Sequence, residues 1–208
     1  MLRKIGFFVL LACALAGAAS AQVAMLTQVS GDVRVSGRDG ARGAVAFLKV
    51  NDADTLTLAG AARVQMVYLA NGRQEVWTGA GAVVVGSAQG RSQTLTPATS
   101  QVPALVLRQL EKTPGVGQHG KTGMVMLRSM DNLEKIDALE TDYKDVRAKA
   151  APGDPTPEVF YLTGLLDLGA YEDVRTVLTD VKARVATQPA YAAVVEHFER
   201  LLAEATAK

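Results

Sequence analysis

Short β-branched and apolar runs, each cut by turn residues, fill the chain from Val23 to about Gly86. Apolar and polar residues alternate within several of these runs, which is the pattern of a strand with one buried face. Glycines recur between the runs, a spacing typical of a meandering or rolled sheet rather than of a doubly wound one. The predicted strands lie at about 23–29, 32–35, 54–58, 63–69, 74–77 and 82–85.

The strongest local signal in this β-rich segment is Asn71-Gly72, between RVQMVYLA and RQEVW. Both residues tolerate the positive φ angles of a tight type I′ turn, so the pair predicts a two-residue hairpin. Such a hairpin places Trp77 opposite Met66 on the neighbouring strand. We expect Trp77 to pack in the core, and the alternative is an exposed contact site for sugar or protein.

The pattern changes after residue 86. Residues 87–101 are rich in Ser, Gln, Thr and Pro, as in a linker or an extended edge. Beyond residue 125, apolar residues recur at spacings of three and four, the period of a helix with one buried face. We therefore predict an α+β fold with segregated elements: an all-β domain over 22–100, a linker over 101–124 and a helical bundle over 125–208.

Four amphipathic helices are predicted in the last segment. Thr156 as a cap, Pro157 in the first turn and Gly169 after the last turn bracket one of them. Each helix carries an apolar stripe that requires a neighbour, which indicates a small antiparallel bundle. The helices lie at about 131–151, 156–168, 171–185 and 189–202.

The first 21 residues have the features of an export signal. Arg3 and Lys4 precede an apolar run of about 15 residues, too short to span a bilayer as a helix. Small residues then favour signal cleavage between Ala21 and Gln22, which predicts a periplasmic protein without a membrane-spanning segment. A competing interpretation takes LLAC, ending at Cys13, as a lipidation motif that anchors the protein through Cys13.

Composition narrows the chemistry of the exported chain. Cys13 is the sole cysteine, so the mature chain has neither a thiol nucleophile nor a disulfide. Residues 22–124 carry ten basic and six acidic residues, and 125–208 carry ten and fifteen. The basic and acidic residues of these two segments nearly balance, so the net charge of the exported chain is close to zero. This argues against nucleic acid as a partner, since phosphate binding needs clustered positive charge.

One stretch matches a phosphate-binding loop. Gly115, Gly120, Lys121 and Thr122 have the spacing G-x-x-x-x-G-K-T. A working loop follows a buried strand and opens a helix, whereas the preceding ALVLRQLEKTP is helix-like and Gly123 follows at once. We therefore expect no nucleotide binding here, and a surface position for Lys121.

Signatures of catalysis are missing from the sequence. His119 and His197 are the two histidines, and neither has a metal-ligand spacing with another candidate ligand. His197 falls off the apolar face of its predicted helix, which favours a rim or solvent position. No G-x-S-x-G motif occurs. We predict no catalytic residue, no cofactor and no metal.

The β-rich segment resembles a known family. SGDVRV, KVNDADTLTL, ARVQMVYLANGRQEVW and AVVVG, within residues 30–86, are similar to the FecR domain, a periplasmic β module. The resemblance implies an all-β fold and a binding role. Members that regulate sigma factors carry an anti-sigma segment and a membrane helix ahead of the module, and this sequence shows neither. LGAYEDVRTVL, at 168–178, is similar to the middle of a tetratricopeptide repeat.

These observations predict an exported, non-enzymatic interaction protein that contacts another envelope protein. Its candidate contact residues are Arg63, Arg73 and Trp77. The alternative is a protein that binds envelope polysaccharide or peptidoglycan, or an accessory to an enzyme that processes them.

Overall fold

A computed structural model describes residues 22–38, 40–118 and 130–207. The β-rich segment begins at Gln22 and contains each of the six strands that the pattern predicts, together with four short ones. The strands are β1 (Gln22–Ser30), β2 (Val33–Gly37), β3 (Gly40–Gly43), β4 (Lys49–Asn51), β5 (Thr55–Leu58), β6 (Arg63–Tyr68), β7 (Arg73–Thr78), β8 (Gly81–Val85), β9 (Gly90–Arg91) and β10 (Ala98–Gln101).

The strands form two antiparallel sheets rather than one meandering or rolled sheet. The helix-facing sheet has the order β10-β7-β6-β1-β4, and the outer sheet has the order β3-β2-β5-β8-β9. The chain crosses from one sheet to the other after β1, so β1 and β2 do not form a hairpin. One apolar core fills the space between the sheets, because alternate residues of both point into it. It includes Leu26, Val35, Val50, Leu56, Val64, Met66, Trp77 and Val83.

The β6–β7 turn is longer than predicted. Trp77 lies opposite Val64, not Met66, and the two strands pair up to Val67 and Gln74. Gly72 has φ +69° and donates its N–H to the Tyr68 carbonyl at 2.8 Å. The Asn71 side chain accepts a hydrogen bond from the Arg73 N–H at 2.9 Å, so it closes the turn through its side chain rather than through a positive φ.

Within the described residues, five helices follow the strands, which confirms the α+β class. α2 to α5 match the four predicted helices within a few residues. α1 lies inside the segment predicted as a linker, and Val106 and Leu110 of this helix are fully buried. The helices are α1 (Ala104–Lys112), α2 (Met130–Lys149), α3 (Thr156–Asp167), α4 (Tyr171–Arg184) and α5 (Tyr191–Thr206).

α3 is the centre of the helical part. Its residues 156–165 are all buried, and it packs against each of the other four helices. The sequence pattern indicates one apolar face, whereas the helix is covered on every side along most of its length. Because burying an unpaired charge is costly, a charged residue on such a helix needs ion-pair or hydrogen-bond partners inside the protein.

The helices dock on the helix-facing sheet. Met25, Val67 and Phe47 of the β part belong to the same apolar cluster as α1, α3, α4 and α5. Phe47 stacks on His197 of α5, with ring centroids 4.1 Å apart. The molecule therefore has three layers, the outer sheet, the helix-facing sheet and the helices.

Candidate functional site

The three candidate contact residues lie in different environments. Trp77 is 1% exposed and packs between the sheets, so its side chain is not available as a surface platform. Arg73 is half-buried and donates from Nε to Glu75 Oε1 at 2.6 Å. Arg63, at the start of β6, is exposed. The structure does not bring the three together.

Glu75 explains why Trp77 and Arg73 are held in place. This carboxylate is completely buried on β7. Besides Arg73, it accepts hydrogen bonds from Trp77 Nε1 at 3.1 Å and from the Gly90 N–H at 3.0 Å. Charge-assisted bonds of this kind offset the cost of burying the carboxylate, so the group ties β7 to β9.

A second buried carboxylate, Glu158 on α3, lies at the centre of the helical part. Its Oε1 accepts from Arg184 Nη1 at 3.0 Å and from the Tyr143 hydroxyl at 3.1 Å. Its Oε2 accepts from Arg147 Nη1 at 3.0 Å and from the Tyr191 hydroxyl at 3.3 Å. One carboxylate thus joins α2, α3, α4 and α5.

The Glu158 cluster resembles catalytic constellations in composition, but its geometry is that of a structural centre. Both oxygens of Glu158 already accept two bonds each. Burial, together with the negative charge of Glu158, raises the pKa of Tyr143 to about 12, so this hydroxyl remains a donor at neutral pH. The cluster has no unoccupied acceptor with which to take a proton from a substrate.

A third buried carboxylate connects the helices to the sheet. Asp154, in the loop before α3, accepts from Gln65 Nε2 at 2.8 Å and from Gln74 Nε2 at 2.9 Å. Both glutamines lie on the helix-facing sheet, at positions where apolar residues would be usual. Arg147 also donates to the Asp154 carbonyl at 2.6 Å, which links this site to the Glu158 cluster.

His197 is buried, contrary to the rim position predicted for it. It is 5% exposed and lies between Phe47 and the helices, because α5 is covered by the β part as well as by α4. Its Nδ1 lies 3.2 Å from Arg200 Nη2, and Nε2 has no hydrogen-bond partner in the described part of the chain. Burial and, secondarily, Arg200 lower the pKa of His197 to about 4.

The segment before the phosphate-loop match does not have the form such a loop requires. The element that precedes Gly115 is the helix α1, not a strand, and the Val116 N–H donates to the Phe47 carbonyl at 3.0 Å. Residues 115–118 therefore cover the edge of the helix-facing sheet beside β4. His119 and Lys121 lie outside the described residues, as does Ala21.

An open cleft of about 400 Å³ lies where the sheet meets the helical part. Gln28 and Ser30 of β1 and Arg63 of β6 form its β side. The loop at 152–153 and the loop at 188–190, before α5, form its helical side. The sequence pointed to Arg63, but it gave no sign of the two loops that complete the cleft.

Two four-residue edge strands are exposed along their whole length. All side chains of β10, Ala98–Gln101, are exposed, and among the described strands β10 pairs with β7 alone. β3, Gly40–Gly43, is likewise exposed at the edge of the outer sheet. Both strands present backbone groups that another chain can pair with.

The sequence pattern did not identify the three buried carboxylates Glu75, Asp154 and Glu158. Glu158 has a recognisable signal, since it is the sole charged residue in PEVFYLTGLL, a stretch otherwise suited to a buried helix. A charge in such a stretch indicates a buried partner. Asp154 has no comparable signal, because its partners are distant glutamines.

Among the residues that the structure describes, no group of three His, Cys, Asp or Glu side chains is arranged to hold a metal ion. None of the helices in that part of the chain is both long enough and apolar enough to cross a bilayer. Comparison of the chain with protein-family models, with curated proteins and with solved structures gave no match.

Proposed function

We propose that this chain is an exported, non-enzymatic interaction protein that binds another protein of the cell envelope, and that its β sandwich is a FecR-like module. The observation that carries the proposal is the free edge of β10, where four consecutive residues are exposed and paired on one side. An extended segment of a partner adds to such an edge by main-chain hydrogen bonds.

β10 is a better acceptor for a partner strand than β3. It has the sequence ATSQ, with no charged residue and no proline inside it to block pairing. β3 contains two glycines, and Gly40 has φ +91°, outside the conformation of a regular strand. Pro97 and Pro103 flank β10 and restrict its ends, which reduces the entropy lost on binding.

The buried polar groups support binding rather than catalysis. The oxygens of Glu75, Asp154 and Glu158 accept hydrogen bonds from groups of the protein itself. These carboxylates therefore hold elements together. Because Trp77 is buried, its ring is not available to stack on a sugar, and this disfavours the alternative that the protein binds polysaccharide.

A photo-crosslinking experiment tests the proposal. A photoreactive residue replaces Thr99 on β10 or, as a control, Thr57 on the exposed face of β5, and each mature protein is irradiated in envelope extract at moderate salt. We expect a discrete protein adduct from position 99 and none from position 57. Ala98→Lys, added to the protein that carries the photoreactive residue at position 99, places a charge on the edge and should abolish capture without lowering the melting temperature.

Sedimentation with isolated peptidoglycan distinguishes the alternative function. We expect the mature protein to remain in the supernatant. Strong, saturable sedimentation together with no adduct at position 99 would contradict the proposal and favour glycan binding.

A further inference from the structure

The cleft at the junction of the sheet and the helical part has the size of a small-ligand site. Its volume of about 400 Å³ lies within the range of about 300 to 1,000 Å³ that is usual for such sites. It is bordered by two strand ends and two loops, and it shares no residue with β10. An occupant of the cleft would touch both parts of the molecule.

Arg63 gives the cleft its charge. None of the ion pairs formed within residues 22–38, 40–118 and 130–207 involves Arg63. No acidic residue is among the described residues that line the cleft. Asp154, one residue beyond the loop at 152–153, is bonded inward to Gln65 and Gln74, so it does not compete for Arg63.

The other lining groups suit a small polar anion. Gln28 lines the β side of the cleft and Gln188 its helical side, and Pro152 and Pro189 add apolar residues to the lining. A guanidinium group matches the two oxygens of a carboxylate, and amides bond the polar atoms next to it. With a single positive charge, the site balances one carboxylate rather than a doubly charged phosphate.

We propose that this cleft binds a carboxylate of a small molecule or of a peptide end, with Arg63 as the anchoring residue and Gln28 and Gln188 as its flanking contacts. This site is independent of strand addition at β10. A ligand here contacts β6 and the loops beside α3 and α5 together, so its binding should also stabilise the junction.

The test uses the full mature chain and three probes. The probes are acetyl-trialanine with a free carboxylate, the same peptide with a C-terminal amide, and N-acetylalanine. Side-chain and backbone NMR shifts at Arg63, Gln28 and Gln188 are followed during titration. We expect saturable shifts with a free carboxylate and none with the amide. Binding of the tripeptide alone assigns a peptide end, and equal binding of N-acetylalanine assigns a small carboxylate.

Substitutions complete the test. Arg63→Gln should weaken binding at least about 10-fold, because a bond to a charged partner contributes more than a neutral one. Arg34→Gln, a matched change at an exposed arginine of β2, should leave binding unchanged. Unchanged melting temperatures confirm that both variants fold. The proposal is contradicted by equal binding of the amide, by no saturable shift with either carboxylate, or by Arg63→Gln binding as the parent does.

Discussion

His197 is the residue whose position departs most from the sequence pattern, and that position has a consequence for stability. The pKa of the imidazole is about 4 in the folded protein, lowered first by burial and then by Arg200, against about 6.5 in an unfolded chain. The folded state therefore disfavours the imidazolium. The folded state loses stability when the unfolded chain takes up a proton at His197 that the folded protein does not. Stability is therefore unaffected by His197 above about pH 6.5 and decreases as the pH falls towards about 4.

Replacing His197 removes this pH dependence. His197→Phe keeps an aromatic ring against Phe47 and cannot titrate. Between pH 7.5 and pH 5, the free energy of unfolding of the parent should fall by about 2 kcal/mol more than that of the variant. Urea denaturation at both pH values measures the difference. Equal losses in the two proteins would mean that His197 is accessible to protons in the folded state.

α3 is the central helix against which the other helices pack. It is buried over residues 156–165, and Glu158, the carboxylate within that buried stretch, accepts bonds from α2, α4 and α5. Such a carboxylate gives weak net stability when paired, but removing its charge leaves two guanidinium groups without a counter-ion.

Glu158→Gln tests that role of α3. We expect a loss of about 2 to 3 kcal/mol in the free energy of unfolding, below the value for a fully buried pair because Arg184 is partly exposed. The matched control is Glu199→Gln, which removes an exposed ion pair with Lys182 and should cost at most about 1 kcal/mol. Equal effects of the two substitutions, measured by denaturant titration, would contradict a central role for Glu158.

The local sequence pattern was sufficient to predict most of the strands and helices. The strands β1, β2, β5, β6, β7 and β8 and the helices α2 to α5 follow from alternation, helical period and Gly or Pro boundaries. The strands β3 and β10 do not, because all of their residues are exposed and neither strand has an apolar face. β4 and β9, with three and two residues, are too short to show a period and depend on a neighbouring strand. α1 is helix-like in sequence, but its burial depends on contact with α3.

Packing between elements that are distant in the chain could not be predicted from the sequence. Gln65 and Gln74 look like solvent-facing positions of an amphipathic sheet, yet they are buried and donate to Asp154. The loop of four residues between β6 and β7 shifted the pairing of Trp77, since a short sequence signal does not determine where a hairpin closes. The cleft around Arg63 likewise depends on two loops far along the chain.

At the scale of the whole molecule, the described residues form a single folded body in which the helices pack on the helix-facing sheet. Asp154 accepts bonds from the sheet while Arg147 joins its loop to the Glu158 cluster, and Phe47 packs on α5. This arrangement holds β10 and the cleft at fixed positions. A partner or ligand then binds with little further ordering, which favours affinity.

Native-state hydrogen exchange of the mature chain tests this single body most directly. The slowest amides of β6 and of α3 should exchange with the same opening free energy, equal to the free energy of global unfolding. Asp154→Ala should lower both values equally, whereas Asp142→Ala, at an exposed position of α2, should lower neither. Exchange of α3 through an opening at least about 2 kcal/mol below that of β6 would show that the helices unfold separately, and would contradict the account.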